Sequence, residues 1–204
     1  MEDTDLKNDL HTLIPLEEFK ALMGVDDRDD RLCRFCLVTA SLTIEEYCKR
    51  KFLRKQYFET IPIINNYFVL LLREYPVSEI LLVSNEQFGM KNEGIIEPEF
   101  YRPMIGNGYN EEMIFELLLS SSLKPYGLNA VKVIYIAGYE RKSIPVNLSA
   151  ACLELASWNF NRYKGKRIGM SGNIRGAGVQ GEHFEMSIPE NVKALIEPYK
   201  RKTI

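Results

Sequence analysis

One stretch limits the possible folds more than any other: Val131 to Gly165. An apolar run, Val131-Lys-Val-Ile-Tyr-Ile-Ala137, stops at Gly138-Tyr139, and a short charged turn leads to Ile144-Pro145. A helical run follows and ends Trp158-Asn-Phe-Asn-Arg-Tyr-Lys164-Gly165. Proline suits a first helical turn because its missing N–H has no intrahelical partner there. Leu148, Ala151, Cys152, Leu155 and Trp158 make one stripe on this helix, and Leu153, Ala156 and Phe160 make another. Together they cover roughly 200°, against the stripe of about 100° that a surface helix needs. Such a helix is predicted to be sandwiched, either at the centre of the fold or against a neighbouring subunit.

The rest of the chain fits around that strand and helix. Pro15 opens a short helix over Leu16–Met23, with Leu16, Phe19, Leu22 and Met23 on one face and Gly24 just past its end. Asp26-Asp-Arg-Asp-Asp30 reads as capping and charge-matching for a second helix, from about Arg31 to Lys51, that ends in Lys49-Arg-Lys51. A calcium loop needs alternating ligands, a central glycine and a distal glutamate, which this run lacks. From Leu53 onward the pattern shortens to strand-like runs: Tyr57–Ile61, Tyr67–Leu72, Ser78–Val83 and Val131–Ala137. Glu111–Ser120 reads as strand or helix, since Met113-Ile-Phe and Leu117-Leu-Leu satisfy neither period cleanly, and residues 85–129 are the least legible part. Ser187-Ile-Pro-Glu-Asn191 repeats the helix-start chemistry of Ser143-Ile-Pro-Val-Asn147 and predicts a last helix over Pro189–Glu197.

The resulting expectation is a single α+β domain over residues 1–204. About four helices, two N-terminal and two C-terminal, carry an inserted antiparallel β-hairpin or small sheet. Its sections are a flexible N-terminus (1–12), helices (13–52), a β-rich section (53–139), a helix (145–162), a glycine-rich basic loop (163–186) and a C-terminal helix and tail (187–204).

Bulk chemistry narrows the function. With 204 residues and a formal net charge of −2, the chain can bury a real core but cannot grip nucleic acid with its whole surface. No window is apolar over enough residues to span a bilayer. The acidic start, Met1-Glu-Asp-Thr-Asp5, is unlike a secretory signal. That places the four cysteines in a reducing cytosol as thiols. Cys33-x-x-Cys36 lies inside a predicted amphipathic helix, past its first turn, and reads as two small buried hydrophobes rather than a redox or zinc pair. His183 has no partner in a nucleophile-elbow context. Gly176-Ala-Gly178-Val-Gln-Gly181 matches a dinucleotide fingerprint as a string, but no strand precedes it and too little chain follows for a βαβ unit. The segment from Lys164 to Gly181, with Lys164, Lys166, Arg167 and Arg175, remains as the candidate for contact with DNA phosphates or an acidic partner.

The order strand, Tyr135-x-Ala137-Gly138-Tyr139, turn, Ile144-Pro145-x-x-Leu148-x-x-Ala151, helix resembles the last third of the head–tail connector (head-completion adaptor) proteins of tailed bacteriophages and prophages. Leu16, Lys20, Met23 and Val25, the acidic pair, and a long helix ending in basic residues and Phe52 resemble the start of the same family. The middle section and the glycine-rich loop are longer here than in its simplest members. The resemblance implies a structural protein without catalytic residues, cofactor or metal. Copies would form a dodecamer-like ring beneath the portal protein, extend the channel for double-stranded DNA without reading its sequence, and offer a surface to stopper and tail proteins. The location implied is the virion head–tail interface, with the host bacterial cytoplasm during assembly and no membrane. On that reading Leu148, Leu155, Trp158 and Phe160 serve core and ring contacts. Lys164, Lys166, Arg167 and Arg175 meet DNA or the portal, and Ile196, Tyr199, Lys200 and Arg201 dock a partner. The competing readings are an unrelated oligomeric scaffold or interaction module, and a nucleotide-binding enzyme using Gly176–Gly181.

Overall fold

Pro15, with φ −63° and ψ 147°, sets the chain direction for helix α1 (Leu16–Met23), and Gly24 ends it in the left-handed region at φ 63°. The computed structural model describes residues 11–63, 69–85, 94–105, 115–119, 130–165 and 188–201. Two compact units form, one from the chain ends (1–49 and 144–204) and one from the middle (50–143).

In the helical unit, Asp26 accepts the Arg28 N–H at 3.1 Å and caps the turn that leads into helix α2 (Asp30–Cys48). This helix was expected to run to Lys51 but stops at Cys48. Lys49 adopts φ 57° and turns its N–H back to the carbonyls of Glu45 and Glu46. A left-handed residue ends a helix whatever its side chain, and without a glycine the stop leaves no mark in the sequence. Helix α3 (Val146–Lys164) buries Leu148, Ala151, Cys152, Leu155, Ala156 and Phe160. It packs against α2 and against helix α4 (Glu190–Ile196), so the broad apolar arc is explained by two flanking helices. Phe160 meets Phe19 of α1 edge-on at 6.3 Å. The Leu13 N–H donates to Ser41 Oγ at 3.0 Å, and that hydroxyl lies 3.4 Å from Cys152 Sγ. Pro145 and Pro189 precede their helices with the same φ of −53°, as the repeated Ser-Ile-Pro chemistry predicts.

In the middle unit the described strands pair antiparallel. Strands β1 (Lys55–Pro62), β3 (Val77–Asn85), β4 (Gly94–Ile95) and β7 (Ala130–Ala137) form a sheet in the order β1-β7-β3-β4. Strands β2 (Val69–Leu71), β5 (Tyr101–Ile105) and β6 (Phe115–Leu119) form a second sheet in the order β2-β6-β5. Phe115–Leu119 is thus a strand, within the stretch whose sequence fitted neither period. β5 was not foreseen, because Pro103 lies in its middle; a proline is tolerated there since, among the described strands, β5 lies at the edge and pairs with β6 alone. In the four-stranded sheet Tyr135 sits between Tyr57 and Ile80, and Val133 between Glu59 and Val83. Val131, Val133, Tyr135, Ala137 and Val83 share a core with Leu70, Leu72 and Ile96.

Helices from both chain ends and an inserted antiparallel β section therefore make the expected α+β architecture.

Candidate functional site

The Tyr135–Tyr139 motif marks a chain crossing. Strand β7 ends at Ala137, and Gly138 then takes φ 101°. A Cβ at Gly138 would lie 2.7 Å from the carbonyl carbon and oxygen of Leu53 and 2.8 Å from the Phe52 oxygen. The Gly138 N–H donates to the Pro76 carbonyl at 2.9 Å, Tyr139 N–H to Phe52 at 2.7 Å, and Arg54 N–H to Tyr139 at 2.9 Å. Glycine is required here for both its backbone angle and its lack of volume. Tyr139, Ile144, Leu148 and Ala151 of the same motif are all buried.

Tyr135 anchors a polar network beneath the sheet. Its hydroxyl donates to Glu59 and accepts the Glu74 N–H at 3.1 Å, while Glu59 also accepts the Arg73 N–H at 3.1 Å. Burial, then the Glu59 carboxylate, pushes the Tyr135 phenol well above its ordinary range. Arg50, within the basic run expected at the end of α2, is buried. Its guanidinium donates to the Tyr75 carbonyl and lies 3.4 Å from the Tyr75 ring centre and 5.0 Å from that of Phe52. A planar guanidinium can be buried in this way because it stacks on aromatic faces. Tyr135→Phe is expected to lower stability by about 1–3 kcal/mol in urea melts, since the Glu74 N–H and the Glu59 carboxylate each lose the hydroxyl as a partner. A loss below about 0.5 kcal/mol would show that the network does not hold the sheet.

The residues expected to act at interfaces divide into core and surface. Leu148, Leu155 and Phe160 lie in the helical core. Trp158 is half-buried, with the Arg162 guanidinium 4.5 Å from its ring centre. Ile196 and Tyr199 are buried in their own unit. The Arg201 N–H donates to the Cys48 carbonyl at 2.8 Å, fastening the tail to the end of α2. Tyr47 donates to Glu197 at 2.6 Å, which holds that carboxyl below its usual range. Lys200 stays exposed, 4.7 Å from the Tyr47 ring centre. Lys164 pairs with Asp29 at 2.6 Å. Lys166, Arg167, Arg175, His183 and the Gly176–Gly181 string lie outside the described residues.

The acidic run is used internally. Lys20 reaches Asp27 at 2.5 Å and Asp30 at 2.6 Å, and those contacts raise its pKa. Among the described residues no group of three or more His, Cys, Asp or Glu is placed to hold a metal ion. All four cysteines are buried free thiols. Burial pushes the thiol of Cys36 up to about 12 and that of Cys152 up to about 11. The native protein is therefore expected to resist iodoacetamide at mildly alkaline pH and to react fully once unfolded. Fast native labelling at Cys36 would contradict that burial.

Sequence reasoning missed the exposed apolar surfaces. On α2, Phe35 (51% exposed) and Leu42 (48%) sit two turns apart, with Val38 between them and the Tyr163 ring 5.4 Å from Phe35. On the sheet face opposite Tyr135, Phe58, Ile134 and Leu82 form one cross-strand row. Phe58 is 64% exposed, and Leu81 and Ile95 are exposed beside that row. Strand alternation carries the signal for this row, because Phe58 falls out of phase with Tyr57, Glu59 and Ile61.

No protein-family model and no curated protein matches the chain. Among solved structures, a chain from the neck of an empty gene transfer agent particle, computed with C6 symmetry, superposes with a TM-score of 0.59 at 16% identity, over 94% of this chain and 91% of that one. The chain has the fold of a gene transfer agent neck component. A chain of the native particle's virion gives the same TM-score at 17% identity over 94% and 91%. A chain of the native neck computed with C12 symmetry gives 0.54 at 17% identity over 93% and 90%. The neck fold thus spans both units, including the long middle section.

Proposed function

We propose that this chain is a structural component of the neck of a phage or phage-like particle, and more specifically a head–tail connector (adaptor). The observation that carries the reading is the extent of the fold match, 94% of this chain against 91% of a neck chain. In the finer reading, copies form a ring beneath the portal, extend the DNA channel, and present a surface to stopper and tail proteins. The C6 and C12 symmetries of the related necks support an assembly of identical copies. So do the exposed Phe35–Leu42 stripe and the Phe58–Ile134–Leu82 row, because aromatic and aliphatic side chains exposed together mark contact surfaces. Trp158 on α3 is offered to the neighbouring copy, the Lys164–Gly181 segment to DNA or portal, and the Lys200–Arg201 end to the next protein in the neck. These roles are mechanical and need no covalent step.

Disrupting the gene in its particle-forming strain is the test. The expected result is filled or emptied heads without tails, restored by the gene in trans. Normal tailed particles from the disrupted strain would overturn the reading.

A further inference from the structure

The chain crossing at Gly138 builds a second feature, a basic platform on the middle unit. Leu53 bridges to Tyr139, Arg54 donates its N–H to the Tyr139 carbonyl at 2.9 Å, and Lys55 pairs with Ala137. The segment carrying Arg54 and Lys55 therefore runs beside the turn carrying Arg141 and Lys142. All four side chains are exposed, as is that of Lys51 just upstream. Arg54 pairs with Glu140, and Lys55 Nζ lies 5.0 Å from the Tyr57 ring centre. The exposed Glu79 is one cross-strand row away, opposite Ile136. Five exposed cations thus stand on two neighbouring segments with two exposed carboxylates among or beside them, on a chain whose net charge is −2.

Of the apolar residues at this place, Phe52, Ala137 and Tyr139 are buried and Leu53, Tyr57 and Ile136 half-buried, so no fully exposed apolar side chain stands among the cations. Protein partners are held mainly by aromatic and aliphatic side chains at the centre of an interface. A phosphate backbone needs only spaced cations on a firm base, with no pocket and no base-reading group. The hydrogen-bonded crossing supplies that base.

We infer that the platform formed by Arg54, Lys55, Arg141 and Lys142 contacts the phosphates of duplex nucleic acid without reading its sequence. The inference rests on the neck reading for the source of the duplex, but its chemistry is tested apart from assembly. The full chain and a Lys55→Gln, Arg141→Gln, Lys142→Gln variant are titrated with fluorescent duplexes of two unrelated sequences between about 50 and 200 mM salt. Arg54 is left in place because it is paired to Glu140, and thermal melts check that the variant is folded. The native chain is expected to bind both sequences alike, with affinity falling steeply as salt rises. The variant is expected to lose about tenfold or more, with a salt slope shallower by about 2–3, one phosphate contact per removed cation. An unchanged affinity and slope, or no duplex binding by the native chain, overturns the inference. So does a variant that loses binding only to an acidic polypeptide such as polyglutamate, which would make the platform a protein-docking surface. Assembly state is measured on the same samples. Rings with unaltered DNA binding in the variant remove the platform alone, and native DNA binding without assembly removes the neck reading alone.

Discussion

Replacing Gly138 with alanine is expected to cost roughly 3–5 kcal/mol and to leave little folded protein at physiological temperature. Two effects combine. An alanine at φ 101° is strained wherever it occurs, and here its methyl group would meet backbone atoms at 2.7–2.8 Å. Backbone atoms cannot swing aside as the tip of a side chain can, so residues 52–54 must shift. That shift would break the pairing of Tyr139 with Phe52 and Arg54 on which the end of the four-stranded sheet depends. The effect is read from urea denaturation or soluble yield. Gly24 serves as the control: it also has positive φ, at 63°, but nothing lies within 4 Å of a Cβ there. Gly24→Ala is expected to cost only about 1 kcal/mol. Equal losses at the two positions would show that the crossing is not the cause.

The second large effect is expected at Leu148. Leu148→Ala removes a fully buried side chain from the first turns of α3. Removing a buried leucine side chain costs the transfer free energy of its methyl and methylene groups and leaves a cavity, together about 3–4 kcal/mol. Trp158→Ala on the same helix is expected to cost less stability, since its ring is half-exposed, but to weaken assembly more. If Leu148→Ala proved mild, with a loss near 1 kcal/mol, the central position of α3 would be wrong.

The helical unit was legible because its stops and starts use residues with few alternatives. Pro15, Gly24, Pro145 and Pro189 each act through a fixed φ, a missing N–H or a missing Cβ, and each lies at the boundary the sequence predicts. The end of α2 was not legible, because Lys49 takes a conformation that its side chain does not announce. The strands β1, β3 and β7 show in their β-branched and aromatic runs, but their pairing does not. The order β1-β7-β3-β4 joins segments far apart in the chain, and nothing local specifies it. Arg50 shows the same limit: it sits between two charged neighbours in sequence, yet the fold stacks it on Tyr75.

For the candidate site, the motif ending at Gly138-Tyr139 was visible from residue types, whereas its reason, the approach of residues 52–54, needed the fold. Ile196 and Tyr199 were correctly seen as an apolar face, but that face closes the chain's own core. The basic platform was invisible in sequence because its cations come from two segments some 85 residues apart, as the Arg54–Glu140 pair spanning them records (86 residues).

A neck role requires this chain to be a repeating structural part. The most direct test is the mass and shape of the purified full-length protein, alone and mixed with the portal protein of its own particle, by native mass spectrometry and electron microscopy. Closed rings of identical copies, formed alone or on the portal, are the predicted result. A chain that stays monomeric in both samples and never joins the portal would contradict it.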